Sequence, residues 1–596
     1  MEKLRFLWAL TRGRRWMFLF ALALLFTSSY LAMIAPQVTR VFIDSVIGAK
    51  PFDAPPFILS WIEGAGGAEF LRANLWIGAA VIVGVGLLYA AFQYFFKVMS
   101  GEVSEFIGKN TRDRLYAHLV RLPYDYFART PSGDILQRCS SDIGAIQGLL
   151  SDDLMSILSA VIMIALNAYM MITTDRFLTI VALSLVPVMI LLNVAVKGKM
   201  SRAFEARGGR DDDLAGFMHQ HVQGIRVVKA FGRQAHERLR FGALSRRAGD
   251  AVRDSEYAQA YYWSFWLTLF LMQTAMVIVF GIFRVSAGAS TVGTMVAFVT
   301  YAESLLRQLS YFGYMMISIT MAQVALKRLD DILGEPVEDA GGESPDAPAK
   351  GAIEFRGVGF AYGEKQILED ITFSIEPGQT VGILGKAGSG KSTLMQLLIR
   401  LYDYGSGSIT LDGREIRGLS RDYLRRNIGI VTQDPFLFSR TVNENITMAA
   451  PGAPAGEVEA AACVACVDRD IREFKEGYET VLGERGTTVS GGQRQRIAIA
   501  QAVIRGCPVL ALDDSLSAVD AETDRRIRAE LQRDAKGRTV FLISHRIDTL
   551  RAADLILVME GGRITQRGDH EALSNQDGLY RRIAEIQQAA GREATA

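Results

Sequence analysis

The sequence predicts two unlike halves: a membrane α-helical domain of six transmembrane helices with long extensions on one side, then an α/β domain built on a phosphate-gripping loop. Three observations predict it. Apolar runs of about 20 residues, the length that crosses a bilayer, recur six times before residue 320. Short β-rich runs alternate with helical stretches after residue 350. One of those runs leads directly into Gly385-Lys386-Ala387-Gly388-Ser389-Gly390-Lys391-Ser392.

The apolar runs are Trp16 to Ala35, Leu75 to Phe96, Leu154 to Thr173, Phe177 to Val196, Trp263 to Ala287 and Met295 to Ile319. The first outlasts the apolar stretch of a signal peptide, so it reads as an anchor. Lys3, Arg5, Arg12, Arg14 and Arg15 precede it, Lys109 to Arg138 follow the second run, and Lys197 to Arg253 follow the fourth. The turn between the third and fourth runs holds only Arg176 and that between the fifth and sixth only Arg284, so both termini are expected on the cytoplasmic side. The 49% apolar content and mean hydropathy of +0.17 agree with a membrane protein. A formal charge of +1 supplies no basic domain, and no nucleic-acid partner is expected. Cys139, Cys463, Cys466 and Cys507 all fall on that reducing side, so no disulfide is expected. Cys463-x-x-Cys466 lacks a second Cys or His pair and reads as helix packing.

Pro131 and Gly133, in Tyr126 to Asp134, break a helix and start a short new one. A less marked segment runs from Ala206 to Phe217, before Gly224-Ile225-Arg226-Val227-Val228-Lys229-Ala230-Phe231. Gly334 to Lys350, with Pro336, Pro345 and Pro348, reads as a linker. The expected divisions are a membrane domain over 1–330, a linker over 331–350, an α/β domain over 351–585 and a tail over 586–596. Its core strands are expected at Ile353 to Phe355, Thr380 to Leu384, Ile428 to Val431, Val509 to Leu512 and Thr539 to Ile543.

In the phosphate loop, backbone N–H groups cradle phosphates, Lys391 meets the β/γ-phosphates and Ser392 suits Mg²⁺. Ser392-Thr393 opens a helix whose positive end faces the anion. Val509 to Leu512 is a buried strand that delivers Asp513 toward the metal.

Val489-Ser490-Gly491-Gly492-Gln493, just before Asp513, resembles the signature of the ATP-binding cassette (ABC) family. That resemblance covers nearly the whole chain and implies an exporter-type half-transporter, an α/β P-loop ABC ATPase fused behind its six helices. It implies that one subunit's signature closes over ATP held by another's phosphate loop. Cofactor contacts would come from Tyr362 on the adenine, from Gly385, Gly388, Ser389, Gly390, Lys391, Ser392 and Thr393, from Ser490, Gly491, Gly492 and Gln493 across the dimer, and from Asp520 in the crossing loop. Gln433 and Asp513 would join Ser392 at Mg²⁺, Gln433 would also sense the attacking water, and His545 would be the switch histidine near the γ-phosphate. Glu484-Arg485-Gly486 resembles an exporter segment that touches coupling helices, which would lie near 127–136 and 206–217.

One position departs from the family pattern. Where a glutamate polarises the attacking water, this chain has Asp514, shorter by one carbon or about 1.5 Å, and a misplacement of about 1 Å can cost on the order of 10²-fold in rate. With the signature intact apart from Val489, the pattern resembles the degenerate half of heterodimeric multidrug exporters. The expected partner is a second half-transporter carrying the glutamate, in a bacterial inner membrane with its lipids and a small hydrophobic or amphipathic substrate. A homodimer, an exporter-fold importer of metal chelates and a nucleotide-gated regulator are the alternatives.

Glu303 and Arg307 lie four residues apart on one helical face and are expected to line the translocation path or subunit interface, or else to pair with each other. Tyr261, Tyr262, Trp263, Phe265 and Trp266 suit an interfacial aromatic belt. Phe298, Tyr301, Tyr311, Phe312, Met315 and Met316 suit an adaptable cavity or lipid-facing packing.

Overall fold

The computed structural model describes residues 14–593 except 49, 52–63, 65–66, 150–152, 340, 484–485, 517 and 535–536. The chain divides into two compact units, Met1–Arg121 with Pro131–Glu335, and Leu122–Thr130 with Pro336–Ala596.

In the first unit the apolar runs sit in helices Arg15–Val41, Trp76–Leu119, Leu154–Thr174, Gln234–Ser286 and Val292–Leu333. The 53 residues of Gln234–Ser286 extend about 80 Å at 1.5 Å per residue, far beyond a hydrocarbon core of about 30 Å. Five helical segments among the described residues are long and apolar enough to cross a membrane. The expected sixth, in Val292–Leu333, is helical, but Glu303, Arg307 and Gln308 dilute its apolar run. The expected fourth span is not one helix. It breaks between Arg176–Leu183 and Val186–Gln223, where Pro187 lacks the N–H that would continue the ladder.

The polar turns are tightly tied. Asp175 caps Arg176–Leu183 by accepting from the Phe177 and Leu178 N–H groups, and its other oxygen meets Arg284 at 3.0 Å. Asp44 accepts from Thr291 at 2.5 Å and from the Gly293 N–H at 2.9 Å, fastening the first span to the start of the last. Short helices Tyr124–Arg129 and Ser132–Gln137 flank Thr130-Pro131, so the first expected break falls where proline and glycine place it. The second does not. Residues 206–217 are uninterrupted helix, and the chain turns instead at Gly224, before the β-branched helix Ile225–Ala230 and Gly232 with φ +59°.

The second unit joins two sheets. An antiparallel sheet has the order β2-β1-β4-β5, with β1 Ile353–Tyr362, β2 Lys365–Ile375, β4 Ser406–Leu411 and β5 Arg414–Glu415. The larger sheet has the order β10-β9-β3-β8-β7-β6, with β3 Thr380–Gly385, β6 Ile428–Val431, β7 Val509–Asp513, β8 Thr539–Ile543, β9 Leu555–Glu560 and β10 Arg563–Gly568. β6 to β9 pair in parallel around β3, and β10 is antiparallel. Both faces are covered, since Val509 and Ala511 enter one apolar cluster while Leu510 and Leu512 enter the other. The linker is ordered along this unit. Glu338 makes a bidentate pair with Arg425 at 2.8 Å, and Glu343 exchanges backbone bonds with Gly418 and Ser420.

Helix Leu579–Glu593 runs through the expected boundary at 585 because Tyr580 and Ala584 are buried against the core. His570 Nδ1 and Tyr580 Oη lie 2.8 Å apart there. Burial, then Arg551, pushes the His570 imidazole below its usual value. Because the fold favours the neutral ring, its contribution is present above the ordinary imidazole range and is lost as pH falls through the lowered value. We expect the melting temperature of the chain to fall as pH drops from 7.5 toward 5.5, and His570→Gln to flatten part of that slope in a thermal scan across pH.

Candidate functional site

Three parallel neighbours place the site. β3, β8 and β7 are adjacent, and their carboxyl ends carry the phosphate loop, Ser544-His545 and Asp513-Asp514 respectively. This is where an open α/β sheet binds ligands. The loop between β3 and helix Lys391–Leu398 turns on Gly388 at φ +79° and Gly390 at φ +97°. A Cβ on Gly390 would stand 2.5 Å from Leu368 Cδ2, and one on Gly385 would stand 2.4 Å from the Met559 carbonyl oxygen. Backbone torsion and space therefore both demand glycine at 390.

Lys391 is folded onto its own loop, donating to the Gly385 and Lys386 carbonyls at 2.8 and 2.9 Å. Burial pushes its ammonium below the usual range, and Asp513 and Asp514 act against that. Ser389 Oγ is buried without a hydrogen-bond partner, as expected of a group waiting for a phosphate oxygen. Thr393 is buried on the same helix. Burial pushes the Asp513 carboxyl up, opposed by the Ser392 hydroxyl, Lys391 and His545. Ser392 and Asp513 are thus already joined at one point, and a divalent cation there would favour the charged carboxylate. The donor set fits Mg²⁺ and nucleotide phosphates.

Asp514 has φ +45°, a left-handed backbone, with its N–H on the Ile543 carbonyl at 2.9 Å. Its carboxylate accepts from Gln433 Nε2 at 3.4 Å. Burial raises this carboxyl as well, with His545 opposing and Asp513 adding to the shift. The structure thus brings Gln433, Asp514 and His545 together, with the imidazole of His545 exposed.

Ser490 starts helix Gly491–Val503 through a capping box, its Oγ accepting from the Gln493 N–H at 3.2 Å while Gln493 Oε1 accepts from the Ser490 N–H at 3.0 Å. The Ser490 O–H therefore remains a donor, beside first-turn N–H groups that have no partner within the helix. Sequence reasoning missed what anchors this end. Gln493 Nε2 reaches Asp470 at 3.1 Å, and Arg496 pairs with Asp470 at 2.8 Å. Buried Gln495 accepts from the Ala518 N–H and donates to the Gln433 carbonyl, and its place two residues after the signature was the only signal. Asp520 caps helix Ala521–Asp534 by accepting from the Glu522 and Thr523 N–H groups. Tyr362 is partly exposed at the end of β1, its Oη donating to Gln396 at 2.9 Å. Glu484 and Arg485 lie outside the described residues.

Residues 18–309 match the family described as ABC transporter transmembrane region, and residues 368–517 match that described as ABC transporter. The YgaD protein of Bacillus subtilis (strain 168), whose name associates it with multidrug export, is 31% identical over 577 residues, 94% of this chain and 98% of its own. This chain belongs to the ABC transporter family. An ATP-dependent lipid A-core flippase of Syntrophus aciditrophicus (strain SB) is 32% identical over 525 residues, covering 87% of this chain and 86% of the flippase. A bacterial Atm1-family ABC exporter solved with ATP bound superposes with a TM-score of 0.80 at 25% identity, over 96% of this chain and 98% of that one. The transporter is thus an integral membrane protein with an exporter-type membrane domain fused to an ATP-hydrolysing cassette.

In the membrane unit, Glu303 and Arg307 line a cavity of about 290 Å³ with Trp263, Trp266, Leu267, Phe270 and Leu306. The belt expectation holds only in part. Tyr261, Trp263 and Phe265 are exposed, whereas Tyr262 and Trp266 are buried and joined by a 2.8 Å hydrogen bond from the indole. Phe298 and Tyr301 are fully buried and pack with Met33, Met171 and Val277. The side chains of Tyr311, Phe312, Met315 and Met316 lie outside the described residues.

The two positive-φ glycines separate torsion from space. Gly388→Ala meets no atom within 4 Å and carries only backbone strain of about 1 kcal/mol, whereas Gly390→Ala adds the Leu368 clash. Titration with a fluorescent ATP analogue should show a loss of about fivefold in affinity for the first and a larger loss for the second. Only Gly390→Ala should also lower the melting temperature by several degrees.

Proposed function

We propose that this chain is one half of a heterodimeric exporter of amphipathic compounds of lipid or multidrug type in a bacterial inner membrane, with a weakened ATP site of its own. The observation that carries this is Asp514. In the sequence it takes the place of the family's catalytic glutamate, and its carboxylate, which accepts from Gln433, has one carbon less reach toward an attacking water. Burial also disfavours the charged form that would polarise that water. Meanwhile Ser490 to Gln493 are preorganised to donate to a phosphate held by another subunit.

In this reading Lys391 and the loop N–H groups hold the β/γ-phosphates, and Ser392, Asp513 and Gln433 hold Mg²⁺. The metal supplies charge neutralisation at the phosphates. Tyr362 supports the adenine, and Asp520 orients the crossing loop. The relatives named for lipid flipping and multidrug export support a hydrophobic cargo. The cavity at Glu303 and Arg307, walled by Trp263, Trp266 and Phe270, supports a cargo with a charged head and an apolar body.

The chain purified alone is expected to be monomeric or nearly inactive, and Asp514→Glu is expected to leave it so without a second subunit. A homodimer that hydrolyses ATP at about 1–10 s⁻¹ would sink the heterodimer reading. For the cargo, Arg307→Gln should weaken binding of an acidic amphiphile about tenfold, corresponding to one charge-assisted hydrogen bond, and a cationic one much less. Quenching of tryptophan emission reads both affinities, since Trp263 and Trp266 wall the cavity.

A further inference from the structure

The backbone on either side of Arg546 is held by one side chain distant in sequence. Gln587, on helix Leu579–Glu593, donates its amide N–H to the His545 carbonyl at 2.7 Å and accepts from the Ile547 N–H at 2.8 Å. Its helix is itself fixed, because Leu579 and Tyr580 share a core with Ile547 and Leu550. His545 is exposed, so the placing of its imidazole depends on its main chain. The end of the same strand also meets Asp514, whose N–H donates to the Ile543 carbonyl at 2.9 Å and whose carboxylate accepts from Gln433 at 3.4 Å. Gln587 thus holds the loop that begins two residues beyond the carbonyl on which the Asp514 N–H rests.

We propose that Gln587 is a positioning residue for ATP hydrolysis: its carboxamide clamps the loop after β8 and so fixes His545 beside Asp514. The proposal rests on the reading of Asp514 and His545 as site residues. It assigns to the C-terminal helix a part in the reaction without any contact to nucleotide.

The test uses the full chain in lipid nanodiscs, as wild type and as Asp514→Glu, each with Gln587→Ala, Gln587→Glu or Gln588→Ala. Where turnover is measurable, Gln587→Ala should lower kcat about tenfold, with KM for ATP within about twofold and a melting temperature matching that of Gln588→Ala. Gln587→Glu keeps the acceptor for Ile547 but sets an oxygen against the His545 carbonyl, so it should be at least as slow. A kcat within about twofold of the parent, or kcat and KM shifting together with melting temperature, overturns the proposal. Hydrogen exchange gives a readout independent of turnover. Faster exchange in Gln587→Ala confined to residues 545–550 supports the clamp, and unchanged exchange there overturns it even in a chain that is silent without a partner. Rapid hydrolysis by the wild-type chain alone would end the heterodimer reading and leave the clamp to be judged by kcat.

Discussion

The nucleotide site depends on the parallel pairing of β3 with β8 and of β8 with β7. The register Ile383 to Ile543 and Ile543 to Asp513 aligns three strand ends within two ladder steps. A slip of one residue would turn Asp513 out of the site and expose the apolar faces on both sides of the sheet. Apolar clusters on the two faces hold that register, so the same burial that stabilises the sheet also raises the carboxyls at its edge. A site built this way carries unfavourable charge in the free protein. Phosphate loop, lysine and metal ligands are complementary to a highly charged ligand because the fold has withheld solvent from them.

The membrane unit answers a different constraint. Helices satisfy their own backbone, so polar side chains are needed only where helices end or meet. Asp175 does both jobs, capping one helix and pairing with Arg284 of another, and Asp44 ties two helix ends with a pair of hydrogen bonds. Asn167 reaches Ser304 between helices at 3.2 Å. Glu303 and Arg307, by contrast, line a cavity walled by Trp263, Trp266 and Phe270.

Much of this was legible in the chain because the signals were local. Five core strands stood out as β-branched apolar runs, and Gly388 and Gly390 marked a turn that only glycine can make. The strands β2, β4, β5, β9 and β10 were not anticipated: β2, β4 and β10 are largely polar along their exposed positions and β5 has two residues, whereas β9 is as apolar and buried as the strands that stood out. The second segment, expected over Ala206 to Phe217, lies inside a long helix that carries Gly208, Gly209 and Gly216, each costing only about 1 kcal/mol there. Tyr262 and Trp266 read as surface aromatics until helix packing buried them against Met189 and Leu306. Gln495 and Asp470 were invisible for a simpler reason. A carboxamide or carboxylate that bridges loops far apart in sequence has no periodic signature.

The segment Leu122–Thr130 shows how a membrane domain can hand a few residues to its ATPase. Although its neighbours on both sides belong to the membrane unit, it folds with the cassette. Tyr124 packs edge-on against Tyr402 with centroids 5.5 Å apart, and Tyr402 packs in turn on Tyr362 at 5.1 Å. Burial, then Tyr362, Tyr124 and Asp125, push the Tyr402 phenol up to about 12, so the ring stays neutral at working pH. Edge-to-face pairs contribute about 0.5–1.5 kcal/mol each and are sensitive to ring angle. A nucleotide base stacked on Tyr362 would restrict that ring, and Tyr402 would pass the restriction to Tyr124. The aromatic that the family resemblance assigns to adenine is therefore also one end of a packed path into the segment borrowed from the membrane domain.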